Sequence, residues 1–212
     1  MADTLTQLIA KIQAQLLDNA TLFSTATCTA AARQALHEIN RQVPALHTEL
    51  IDSVASQKEY EITDSQTALR IVDVVLQGVG EYDLHMDFDS YVEDGRWYFR
   101  LRTPLPAGEI IIVHYTKPFT IAGLDSAADS TLTDILNDAC IHGSCYFAII
   151  TRAAYTVENN NVNPDVAKAW ERIADIDKKM FDDAIATVRH QPVTSDEPDL
   201  RTWQDEYHNW NT

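Results

Sequence analysis

The sequence contains little glycine, proline or cysteine, with six Gly, seven Pro and three Cys among 212 residues. So little glycine and proline excludes a collagen-like or low-complexity chain. Three cysteines without a CxxC pair fit a reducing compartment, or a particle assembled in one. No apolar run reaches the roughly 20 residues of a membrane-spanning helix. The N-terminal residues also lack the basic start and apolar centre of a secretion signal.

Basic side chains are scarce as well. Sixteen Lys and Arg stand against 32 Asp and Glu, which gives a formal net charge of −16. Nucleic-acid readers neutralise phosphates with basic side chains, so this balance excludes a conventional DNA- or RNA-binding protein. Hydrophobic residues make up 45% of the chain, as in ordinary globular proteins. The sequence therefore predicts a folded, acidic protein whose surface repels DNA.

Helical periodicity at both ends of the chain predicts a helical body made of residues 1–44 and 124–190. Thr4 is a typical N-cap, and Pro44 ends the second helix. Gly143 interrupts the third helix, and the close approach of another helix is the expected reason. Two N-terminal and two long C-terminal helices are predicted, at about 5–16, 30–42, 131–157 and 164–190.

Between these helices, residues 45–123 change to the period of two that is typical of half-buried strands. Short strands separated by Gly and Pro turns predict an inserted antiparallel β-sandwich or barrel-like unit, so the fold class is α+β. The last strand, EIIIVHY, is apolar on both faces. A central position in the sheet is favoured over packing on another element or subunit. The predicted strands are Thr48–Val54, Lys58–Ile62, Leu69–Leu76, Tyr82–Tyr91, Arg96–Arg102 and Glu109–Tyr115.

The dipeptide Asp94-Gly95 predicts a two-residue type I′ hairpin turn, because both central residues of that turn need a positive φ. The turn fixes the register of the two strands. One face is apolar apart from a serine, and the other pairs opposite charges around two tyrosines. The predicted opposed pairs on that second face are Glu93–Arg96, Tyr91–Tyr98, Asp89–Arg100 and Asp87–Arg102.

Two groups of residues suggest chemistry. His85, Asp87 and Asp89 form an H-x-D-x-D pattern on one predicted strand, as a metal-dependent hydrolase could use. The arginines opposite both aspartates favour a solvated, ion-paired face instead. Cys140 and Cys145 lie in a helix beside a histidine, and small buried thiols are the favoured interpretation. Neither a P-loop nor a GxSxG motif is present. We therefore predict no catalytic residue, metal or cofactor.

The C-terminal segment, residues 191–212, has two prolines, several acids and no core periodicity. Trp203, Tyr207 and Trp210 lie near its end. Exposed aromatic side chains are costly unless a partner buries them, and Trp and Tyr are common anchors at interfaces. We expect an extended tail that a partner orders. The alternative is that the tail folds back on its own domain.

The order of these parts resembles the head-to-tail connector or adaptor proteins of tailed bacteriophages. The resemblance rests on the segment GEIIIVHY, on the small-residue-rich helix STLTDILNDACIHGSCYFAIITRAAY, and on the helix 165–190 followed by a tail. It implies a homo-oligomeric ring below the portal protein, expected as a dodecamer, in the neck of the virion. It also implies assembly in the host cytoplasm, contacts with further neck or tail proteins, and docking of the tail on the portal. No membrane is involved.

In such a ring, DNA passes through without specific binding, and a negative lumen leaves the duplex mobile. Candidate lumen residues lie near the start of the third helix, where acids also complement the helix dipole. They are Asp125, Asp129, Asp134 and Asp138. A second possible function is that of an acidic, β-rich accessory module of a tail or baseplate.

Overall fold

The computed structural model describes residues 3–18, 22–64, 66–78, 84–158 and 164–190. This part of the chain contains four helices and two antiparallel sheets, which confirms the α+β class. The elements in chain order are α1 (Leu5–Gln15), α2 (Thr25–Gln42), β1 (Ala45–Asp52), β2 (Glu59–Glu61), β3 (Arg70–Leu76), β4 (Leu84–His85), β5 (Phe88–Glu93), β6 (Arg96–Leu101), β7 (Ile110–Lys117), α3 (Asp134–Glu158) and α4 (Pro164–His190).

Helix α1 begins where the sequence predicts. The Thr4 side chain accepts a hydrogen bond from the Gln7 backbone N–H, and the Gln7 side chain accepts one from the Thr4 N–H. This capping box satisfies two of the backbone donors that a helix leaves unpaired at its N-terminus. Three apolar side chains, Leu8, Ile9 and Ile12, are buried along one stripe of the helix.

Helix α2 begins at Thr25, about five residues before the predicted start. Ser24 caps it by accepting a hydrogen bond from the Thr27 N–H. Threonine has a low helix propensity, so the sequence pattern favoured a loop before residue 30. Burial of Phe23 and Cys28, both fully inaccessible, overrides that preference.

Helices α3 and α4 pack together, and Gly143 lies at their contact. A Cβ atom built on Gly143 would lie 2.7 Å from Cδ2 of Phe181 on α4 and 3.1 Å from Cβ of Ala35 on α2. Both distances are shorter than ordinary van der Waals contact. The close helix approach predicted for this glycine is confirmed, and it comes from two helices at once.

The strands form a four-stranded sheet of order β1-β7-β3-β4 and a three-stranded sheet of order β2-β6-β5. Strand β7 lies between β1 and β3, which confirms its predicted central position. The two sheets share an apolar core that includes Phe99 and Leu101 of the smaller sheet and Val74 and Ile111 of the larger one. Among the described strands the sheets stay separate, so the barrel-like alternative is wrong.

The hairpin register is confirmed at every predicted pair from Glu93–Arg96 to Asp89–Arg100, and Asp94 and Gly95 both have positive φ. The long strand predicted over Tyr82–Tyr91 is wrong, because the chain changes sheets within it. Strand β4 pairs with β3, whereas β5 pairs with β6. A period-two pattern cannot reveal such a change, because both segments keep their alternation.

Asn40 joins α2 to the segment that follows β7. Its side-chain amide donates to the Phe119 carbonyl at 3.1 Å and accepts from the Phe119 N–H at 2.6 Å. Phe119 and Ile121 are buried in the helical core. The chain that leaves the sheets is therefore anchored on the helices before α3 begins.

Candidate functional site

The three residues of the H-x-D-x-D pattern do not share one strand. His85 ends β4 in the larger sheet, and its Nδ1 lies 2.8 Å from the Asp73 Oδ2. Asp89 lies on β5 in the smaller sheet. The break between the two strands thus separates the residues that a metal would have to bring together.

Of the two predicted aspartate–arginine ion pairs, one forms and the other does not. Arg102 lies at 4.0 Å from Asp87, a loose and exposed ion pair. Arg100 faces Asp89 in the register, but its guanidinium binds Glu59 on β2. Within the described ranges, no three His, Cys, Asp or Glu side chains are placed to hold a metal ion.

The thiols of α3 are buried in the helical core. Burial raises the pKa of Cys140 to about 12, although a hydrogen bond with Ser144 acts in the opposite direction. Burial likewise raises the pKa of Cys145, and the charge of Asp177 adds to this effect. Since the thiolate is the reactive form, both cysteines are packing residues rather than nucleophiles.

His142 has a partner that the sequence did not reveal. Its Nδ1 lies 2.9 Å from Oδ1 of Asp177, a residue only 5% exposed. Gln15 Nε2 lies 2.7 Å from the same oxygen. Gln15 Nε2 also lies 2.8 Å from His142 Nδ1, so the three polar groups form one mutual cluster in which the carboxylate is an acceptor. This polar cluster ties α1, α3 and α4 together.

The four candidate lumen aspartates are all exposed. Asp134 and Asp138 are one turn apart on α3. A hydrogen bond with Asp3 raises the pKa of Lys11, and the charge of nearby Asp138 adds to this effect. Asp129 precedes Ser130, whose hydroxyl donates to the Asp3 carbonyl at 2.6 Å. Three of the four therefore lie around the N-terminal ends of α1 and α3.

Asp3 belongs to the same surface and holds it together. Its carboxylate accepts from Lys11 Nζ at 2.6 Å and from Asn137 Nδ2 at 2.7 Å. Burial alone would raise the pKa of Asp3, but these hydrogen bonds outweigh burial and lower it. The carboxylate is therefore ionised at neutral pH, and this end of the helical body is acidic.

Asp125 differs from the other three. Arg33 on α2 binds it through two nitrogens, with its Nη2 at 2.6 Å from Oδ1. This guanidinium lowers the pKa of the Asp125 carboxyl. The arginine also offsets the carboxylate charge, so Asp125 contributes less to a negative surface than its three companions.

Helix α4 carries an exposed apolar surface. Ile173, Ile176 and Met180 are 44%, 62% and 50% exposed. Positions three and four residues away from Ile176 adjoin it on a helix, so the three side chains form one continuous patch. We call these residues the α4 stripe. Helical periodicity predicts an apolar face but not its width, so it does not distinguish the stripe from the buried part of that face.

The tail residues Trp203, Tyr207 and Trp210 lie outside the described residues. Among the described helices, none combines the length and apolarity that crossing a membrane requires. The described residues therefore offer three surfaces for contact with partners: the acidic end of the helical body, the α4 stripe and the ion-paired β unit.

A comparison with protein-family models gives a match over residues 3–203 to the family described as SU10 adaptor protein. The chain belongs to this family of phage head-to-tail adaptors, as the sequence resemblance implied. It is therefore a structural component of a phage virion that acts through contacts with other head and tail proteins. A comparison with curated proteins gives no match.

Proposed function

We propose that this adaptor assembles as a ring of identical subunits, a dodecamer, below the portal protein and continues the DNA channel toward the tail. The observation that carries the proposal is the family match across residues 3–203. The fold supports a role in assembly. The buried cysteines and the Asp177 cluster serve packing, whereas the candidate contact residues Asp129, Asp134 and Asp138 lie on the surface.

The charge supports a channel role for the acidic end of the helical body. Asp129, Asp134 and Asp138 are exposed there around the ends of α1 and α3, in a chain of net charge −16. A wall of fixed cations would bind phosphates and slow the passing duplex. Carboxylates that face the lumen would instead keep DNA from binding, so we assign these three residues to the channel, with Asp125 at its margin.

The tail is assigned to the portal. Residues 191–212 contain two tryptophans and a tyrosine within eight residues, a density of anchors typical of a docking segment. A linear segment of this kind can reach a partner without moving the helical body that carries it. In this arrangement the four helices build the ring, and the tail fastens it to the head.

Removal of residues 191–212 is expected to abolish co-purification with the cognate portal oligomer, because the docking aromatics are lost. Binding is measured by size-exclusion chromatography with light scattering on mixtures of portal and adaptor. The variant Trp203→Ala with Trp210→Ala tests the anchors alone, and Leu50→Ala, at an exposed apolar site on β1, serves as the matched control. Unchanged binding by the truncated chain would remove the tail from the proposal.

A further inference from the structure

Two basic side chains lie along one edge of the α4 stripe. Arg172 and Lys179 lie four residues before and three residues after Ile176, so both adjoin it on the helix surface. Both are exposed, and no ion pair joins either of them to another described residue. Asp175 and Asp183 are exposed on the same edge, so it carries both signs of charge. The stripe therefore suits an apolar occupant, and the two bases offer local partners to carboxylates that lie between its apolar side chains.

The tail has that chemistry. Residues 191–212 contain five carboxylates and one arginine, together with the aromatic side chains Trp203, Tyr207 and Trp210. Aromatic rings can cover the stripe, and the carboxylates between them can approach Arg172 and Lys179. Indole and phenol rings also accept guanidinium and ammonium groups over their faces.

The tail is also tethered within reach of the stripe. Helix α4 ends at His190, and Ile176 lies 14 residues earlier, about 21 Å along the helix axis. From residue 190 to Trp203 an extended chain spans up to about 43 Å, so it can turn back along α4. Proline at position 192 disfavours continuation of the helix. A short tether gives the tail a high effective concentration at this surface.

We propose that residues 191–212 dock on the α4 stripe of their own chain when no portal is bound. The docked tail covers the apolar patch of the free adaptor and shields its own aromatic side chains. Under the proposed function, on which this second step rests, the portal then competes for the tail and uncovers the stripe. Docking thereby couples portal binding to exposure of an apolar face on α4.

The experiment is limited proteolysis of the full-length chain. Arg201 is the only tryptic site in the tail, so cleavage there releases residues 202–212, which mass spectrometry detects. Docking protects Arg201 in the wild-type chain. The substitution Ile176→Glu should speed its cleavage about tenfold, because a charged side chain replaces the isoleucine that the docked tail covers. Leu50→Glu, at an equally exposed apolar site on β1, should leave the rate unchanged.

Equal cleavage rates in the wild-type and Ile176→Glu chains would overturn the proposal. Protection that increases with protein concentration would also overturn it, because the occupant would then be a second copy. A portal-binding assay separates this inference from the proposed function. Ile176→Glu should bind portal at least as tightly as the wild-type chain. If neither chain binds portal, the proposed function is contradicted, whereas the protection of Arg201 still supports docking of the tail on α4.

Discussion

Replacing Asp177 by alanine is expected to lower the free energy of unfolding by about 2 kcal/mol. The substitution removes the buried carboxylate that lies within hydrogen-bond distance of both His142 and Gln15 at the contact between three helices. Gln15 is exposed and His142 is half-buried, so water replaces part of the lost interaction. Urea unfolding followed by circular dichroism measures the change.

Two further variants make this test specific. Asp175→Ala removes an exposed carboxylate from the same helix and should change stability by less than about 0.5 kcal/mol. Asp177→Asn keeps an acceptor oxygen and should cost less than Asp177→Ala. If Asp177→Ala were no more destabilising than Asp175→Ala, the polar cluster would not hold the helices together.

Replacing Gly143 by alanine should destabilise the protein by about 2 kcal/mol, although alanine is the better helix former. The added Cβ meets the buried ring of Phe181 on one side and the Ala35 methyl on another. Neither neighbour can give way, since both are buried in the helical core. Thermal and urea unfolding of the purified variant measure the loss.

The matched control is Thr151→Ala, which changes an exposed position on the same helix and should be nearly neutral. Gly143→Ala should cost less stability in a Phe181→Leu background than in the wild-type chain, because the smaller side chain relieves the overlap. A Gly143→Ala variant as stable as the wild-type protein would show that the helices can separate at no cost.

Local signals made much of the fold predictable. The N-cap residue Thr4 predicted the start of α1, and the Asp94-Gly95 turn predicted the hairpin register, because both signals depend on residues close in sequence. The two apolar faces of EIIIVHY placed β7 in the centre of its sheet. In each case the backbone preference and the burial pattern point to the same structure.

Long-range packing decided the features that sequence patterns did not show. Burial of Phe23 extended α2 backwards through threonines that favour a loop. The change of sheet between His85 and Phe88 is fixed by the strands on either side, and alternation alone cannot report it. The Asp177 cluster joins residues that are far apart in sequence, so no spacing rule could have found it.

The most direct test of the proposed function is a cryo-electron microscopy reconstruction of the adaptor assembled on its portal oligomer. The account predicts a closed ring of adaptor subunits coaxial with the portal, with Asp134 and Asp138 lining its channel and the tail of each subunit seated on the portal. A reconstruction in which the adaptor binds as single copies beside the axis, or in which these aspartates face outward, would contradict it.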